Sequence, residues 1–83
     1  MKSGGGAFEV YPNPTSGIFT INLKNNKVET KICVYDALGN YVLEMVSLKN
    51  SKENIDLTGQ PKGIYTLEIE SAGETIMKKI ILQ

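Results

Sequence analysis

Eighty-three residues make one domain with a single modest core. Nine basic residues balance nine acidic ones and the pI is near 6.2, so no general field draws this chain to nucleic acid or anionic lipid. No apolar run approaches the ~20 residues of a membrane helix, and without histidine the usual general base near neutral pH is missing.

Met1 to Gly6, with Gly4-Gly5-Gly6, has no apolar stretch behind Lys2 and is not a secretory signal. Residues 1–7 read as a flexible linker or a cloning remnant, and the domain as residues 8–83, cut from the end of a longer protein. Apolar residues then alternate with period two almost throughout, and no segment holds a helical period. The predicted strands fall at 8–11, 18–23, 28–35, 41–48, 53–57, 63–70 and 74–82.

Within these runs, Phe19, Ile21 and Leu23 share a face. Val28, Thr30, Ile32 and Val34 lie opposite Glu29, Lys31 and Cys33. Val42, Val46 and Leu48 are expected on the face of Glu44, with Tyr41, Leu43 and Met45 on the other. Tyr65, Leu67 and Ile69 lie opposite Thr66, Glu68 and Glu70. Turn chemistry separates the runs. Pro12-Asn13-Pro14-Thr15-Ser16-Gly17 cannot supply continuous ladder donors. Asn25-Asn26-Lys27 suits a tight reversal, and Asp36 to Asn40 a hairpin loop with Gly39 at positive φ. Asn50-Ser51-Lys52, Thr58-Gly59-Gln60-Pro61 and Ser71-Ala72-Gly73 complete the turns. The fold class this predicts is all-β: an immunoglobulin-like β-sandwich of about seven short antiparallel strands, without the Cys…Trp…Cys hallmark of antibody domains.

Chemistry is sparse. Cys33, the single cysteine, sits in a strand pattern with no histidine partner, and a small buried hydrophobe is the simpler reading. The lack of disulfides is the habit of intracellular domains, although bacterial surface domains often manage without. One cysteine and no histidine argue against zinc, and no EF-hand spacing surrounds Asp36 or Asp56. Solvated turn aspartates account for both. Asp56-Leu57-Thr58-Gly59 resembles an aspartic-protease loop only superficially, because leucine interrupts it. Asn13-Pro14-Thr15 fails as a glycosylation site because proline is central. Tyr65 is in phase with the core, while Tyr11, Tyr35 and Tyr41 flank turns, where the ring packs and the hydroxyl reaches water. Lys78-Lys79 inside the apolar run Ile76–Leu82 reads as a gatekeeper against edge-to-edge pairing, or as a recognition epitope. No catalytic set, cofactor site or metal site emerges, and an enzyme is not expected.

Four blocks stand in order. They are Tyr11-Pro12-Asn13-Pro14 with Gly17, then Val34-Tyr35-Asp36 with Gly39, then Leu57 through Lys62-Gly63-Ile64-Tyr65, and finally Lys78-Lys79-Ile80-Ile81. Together, from about Phe8 to Gln83, they resemble the type A C-terminal sorting domain of the type IX secretion system of Bacteroidetes. That resemblance implies a non-catalytic signal that directs an exported cargo, joined at its N-terminal side, across the outer membrane. The parent protein would pass through the periplasm and end at the cell surface or outside the cell. The implied partners are the outer-membrane translocon and a sortase-like surface peptidase that removes the domain or uses it for attachment. Nucleic acid is not among them. Recognition by the machinery is expected at Gly63, Ile64, Tyr65, Lys78, Lys79, Ile80, Ile81 and Leu82. Pro12, Asn13, Pro14, Gly17, Tyr35, Asp36 and Gly39 are expected to build the fold. An exposed closing strand would also permit strand addition or a strand-exchanged homodimer. A carbohydrate-binding or adhesion module stands as the alternative, and a structural spacer as a third reading.

Overall fold

The computed structural model describes residues 8–23, 29–48 and 52–83. They form seven antiparallel strands: β1 (Glu9–Tyr11), β2 (Ile18–Asn22), β3 (Glu29–Tyr35), β4 (Tyr41–Leu48), β5 (Lys52–Asp56), β6 (Gly63–Ser71) and β7 (Glu74–Leu82). Each coincides with a predicted run to within one residue at most ends, because period-two patterning and turn residues agree along the whole chain. The reversal expected at 25–27 and the first two residues of the one expected at 50–52 lie outside the described residues, while Lys52 already belongs to β5.

The strands sort into a three-stranded sheet, β1-β2-β5, and a four-stranded sheet, β4-β3-β6-β7. Compared with a constant-type immunoglobulin domain, the fourth strand has moved from the first sheet to the second. Phe19, Ile21, Ile55 and Leu57 from one layer meet Ile32, Val34, Tyr65, Leu67, Ile69, Ile80 and Leu82 from the other, all buried. Burying one such side chain is worth about 1.5–3 kcal/mol, so this single layer of contacts is the main stabilising term of the domain.

β6 is central to the larger sheet. It pairs with β3 through Thr66↔Tyr35, Glu68↔Cys33 and Glu70↔Lys31, and with β7 through Gly63↔Leu82, Tyr65↔Ile80 and Ile69↔Ile76. The β3–β4 pairing runs from Glu29↔Leu48 to Val34↔Leu43 and then slips, so that Tyr35 faces Tyr41. That irregularity corrects the expected faces of β4. Tyr41 shares the outer face of the sheet with Tyr35, while Val42 packs against the core beside Leu43 and Met45. A one-residue slip exchanges faces because side chains alternate with period two.

Two glycines have specific reasons. Gly39 takes φ 88° after the turn in which its amide donates to Asp36 O. Gly17 is buried, and its carbonyl accepts the Leu57 amide at 2.7 Å; a Cβ there would lie 2.9 Å from Thr58 Oγ1.

Candidate recognition surface

The Pro12–Thr15 segment does more than turn the chain. It lies along the free edge of β7. Asn13 Nδ2 donates to Lys79 O at 2.8 Å, and Asn13 Oδ1 accepts the Ile81 amide at 3.0 Å. One residue pair further on, Thr15 N donates to Ile81 O and Gln83 N donates to Thr15 O, both at 2.9 Å. A side-chain amide and one backbone residue thus continue the ladder beyond β7 as a short parallel segment, joined by the Thr15↔Leu82 bridge. Thr15 is itself held: its buried hydroxyl donates to Ile18 O and accepts the Gly17 amide. This clasp engages the second half of an edge, from Lys79 onward, that would otherwise present unpaired donors and acceptors.

The closing strand was expected to be an open edge, and the clasp limits that expectation to its first half. Among the described residues, the outward groups of Thr75 and Met77 have no such cover. The lysine pair splits across the strand. Lys78 is half-buried on the core face opposite Leu67, and Lys79 is exposed on the outer face opposite Thr66. An inward-pointing charge near an edge hinders the approach of another strand, which fits the gatekeeper reading.

The structure divides the expected recognition residues. Tyr65, Ile80 and Leu82 are core, and the Tyr65 hydroxyl donates to Pro61 O. Ile64 and Ile81 face each other across β6 and β7 on the outer face, 50% and 39% exposed. Lys79 stands in the neighbouring row beside Thr66. Gly63 is exposed as well, at the start of β6, so Ile64, Lys79 and Ile81 are the outward side chains of the set that a partner can touch without unfolding the domain.

The same outer face carries the tyrosine pair. Tyr35 and Tyr41 stack with ring centroids 4.9 Å apart. Tyr35 does not offer its hydroxyl to water, as expected for a tyrosine beside a turn. It donates to Glu68 Oε1 at 2.5 Å. That bond, with a smaller contribution from Tyr41, holds the Tyr35 pKa above the ordinary tyrosine range. Cys33 lies on this face too, yet it is buried between Glu44 and Glu68 on the neighbouring strands. Burial pushes its thiol pKa up, Glu44 adds to the shift, and Lys31 opposes it. A buried thiol with a raised pKa is inert. Lys31 and Glu44 pair at 3.2 Å in the open, where such a pair is worth little.

The Asp36 turn is rigid. Asp36 Oδ1 accepts the amides of Asn40 and Leu38, each at 2.9 Å, which keeps its carboxyl below the usual aspartate range. The turn thrusts Leu38 into solvent above a groove of about 310 Å³ lined by Val42, Pro61, Lys62, Ile64 and Tyr65. Asp56 repeats the device. Its carboxylate accepts from Thr58, and Gly59 follows at φ 91°. The Asp-x-x-Gly spacing thus recurs, although the backbone turn here closes one residue later, with the Gln60 amide donating to Leu57 O. Among the described residues no cluster of three metal-ligating side chains occurs.

A family model described as "Secretion system C-terminal sorting domain" matches residues 9–83. The chain belongs to that family. No curated protein matches it. Membership places this sorting domain in type IX secretion and its parent among exported proteins that cross the outer membrane. Of the four sequence blocks, Tyr11-Pro12-Asn13-Pro14 holds the clasp asparagine, Val34-Tyr35-Asp36 with Gly39 forms the Asp36 turn, and the last two lie on the β6–β7 pair that carries Ile64 and Ile81.

Proposed function

We propose that this sorting domain is a non-catalytic address on an N-terminal cargo, read by the type IX outer-membrane translocon through the outer face of β6 and β7. Ile64, Lys79 and Ile81 form the contact. Gly63, Tyr65, Lys78, Ile80 and Leu82 hold it in shape. After transport, a sortase-like surface peptidase cuts ahead of Phe8, and the cargo is anchored or released.

One observation supports this read-out most directly: two exposed isoleucines stand directly opposite each other on strands fixed by pairing on one side and by the clasp on the other. A tag that works behind unrelated cargoes needs a rigid surface independent of its neighbour, and apolar side chains beside a cation supply both contact area and orientation.

Removing the chain from Lys78 onward does not test this proposal, because it also removes buried Ile80 and Leu82. The informative variants are Ile64→Glu, Ile81→Glu and Lys79→Glu, fused behind a reporter in a type IX-competent host. Surface delivery is expected to fall at least about tenfold while the purified domains keep their melting temperature, since exposed substitutions cost little stability. Undiminished delivery of a folded Ile64→Glu, Ile81→Glu double variant refutes the read-out surface.

A further inference from the structure

Each residue of an antiparallel strand sends its amide and carbonyl to the same side, and successive residues alternate. The clasp fixes which side applies here. Lys79 and Ile81 point out of the sheet towards Asn13, so Ile80 points in towards Tyr65. The register then runs from Thr66↔Tyr35 to Val34↔Leu43, and the Asp36 amide donates to Asn40 O at the head of β4. In β4, Leu43, Met45 and Ser47 therefore bond to β3. Glu44, Val46 and Leu48 turn both backbone groups away from the sheet.

Nothing among the described residues covers that edge. β4 is also the far end of its sheet and eight residues long. It contains no lysine and no proline, the usual protections of an edge. The other edges are blunted. β7 carries the clasp and inward Lys78, β1 has only three residues, and β5 begins with Lys52-Glu53. On the outer face beside the open groups, Val46 is 47% and Leu48 66% exposed. The one charge on β4, Glu44, is already paired with Lys31.

An edge of alternating donors and acceptors takes an extended strand. We propose that the occupant is β4 of a second copy, antiparallel and centred on Val46, which joins two four-stranded sheets into one of eight. The strand is self-complementary in that register. Val46 meets Val46 of the other copy, and Leu48 meets the other Glu44 along its aliphatic stem. The two Glu44 carboxylates stay apart, and two chains of zero net charge do not repel. This association is independent of the sorting role.

Sedimentation velocity of the purified chain from micromolar to millimolar concentration tests it. A concentration-dependent monomer–dimer equilibrium is expected. Val46→Pro keeps the monomer folded, because the missing N–H faced solvent, and removes both central bonds of the pair. It is expected to weaken dimerisation about tenfold or more. Val46→Lys, which keeps the N–H but opposes two cations, is expected to weaken it as well. Met77→Pro, on the open half of β7, is expected to leave it unchanged. A chain that stays monomeric throughout overturns the proposal. So does a dimer that survives Val46→Pro but is lost in Met77→Pro, or a slowly exchanging dimer that swaps β7.

Discussion

β7 and β4 are the two edges of one sheet, and they are finished in opposite ways. β7 is stitched down by a loop from the other sheet, through one asparagine side chain and the backbone of one threonine. β4 takes its backbone bonds from β3 alone among the described residues, with Ser47 Oγ donating to Glu53 of the other sheet, and its far side presents a bare row of backbone groups. The comparison teaches that hydropathy does not decide which edge is open. The two runs are about equally apolar, five of seven residues in Ile76–Leu82 and six of eight in Tyr41–Leu48, yet only the first is covered. Closure depends on whether another segment happens to carry donors and acceptors at the right spacing.

The largest effect expected from probing this contrast is Ile80→Ala. Ile80 is fully buried between Tyr65 and the opposite layer, so the loss is about 2–5 kcal/mol. A domain of this size has little more than that to give, and calorimetry is expected to show it largely unfolded at 37 °C.

Matched prolines sharpen the contrast. Ile81→Pro deletes a donor that Asn13 uses, and is expected to cost about 1–3 kcal/mol in urea titration. Val46→Pro deletes an outward donor that has no acceptor among the described residues, and is expected to cost about 1 kcal/mol or less. Equal costs would break the distinction between the two edges. Asn13→Ala removes two exposed bonds and leaves the backbone part of the clasp. A loss of about 1 kcal/mol is expected, with faster amide exchange at Ile81 than at Tyr65.

The smallest effect is with acid. The turn bonds lower the pKa values of Asp36 and Asp56 below their ordinary 3.8. Their contribution is therefore complete above that value and is lost as pH falls through the lowered folded values. Both groups are exposed, so the decline in melting temperature below about pH 4 is expected to be shallow, and shallower still in Asp36→Asn.

Much of the fold was legible in the sequence because it is local. Strands announce themselves by alternation, and Asp36-x-x-Gly39 by its turn chemistry. Which residues are core in β2, β3 and β6 followed from phase alone. The face of Tyr41 and Val42 did not, because the slip opposite Tyr35 depends on a register between strands. The partition of strands between sheets is likewise non-local. The clasp was invisible for a different reason: a lone side-chain amide imitating a peptide group leaves no period to detect. Of the expected recognition residues, sequence could group Gly63 to Tyr65 with Lys78 to Leu82, as the register does. It could not say that Tyr65, Ile80 and Leu82 are buried while Ile64, Lys79 and Ile81 turn their side chains outward.

The two halves of the clasp are separated by 66 to 68 positions along the chain. As the domain emerges in chain order, Asn13 and Thr15 come well before the residues they grip. Only when Ile81 and Gln83 arrive can the seam be sewn, so a finished hem is a record that both closing strands have been made.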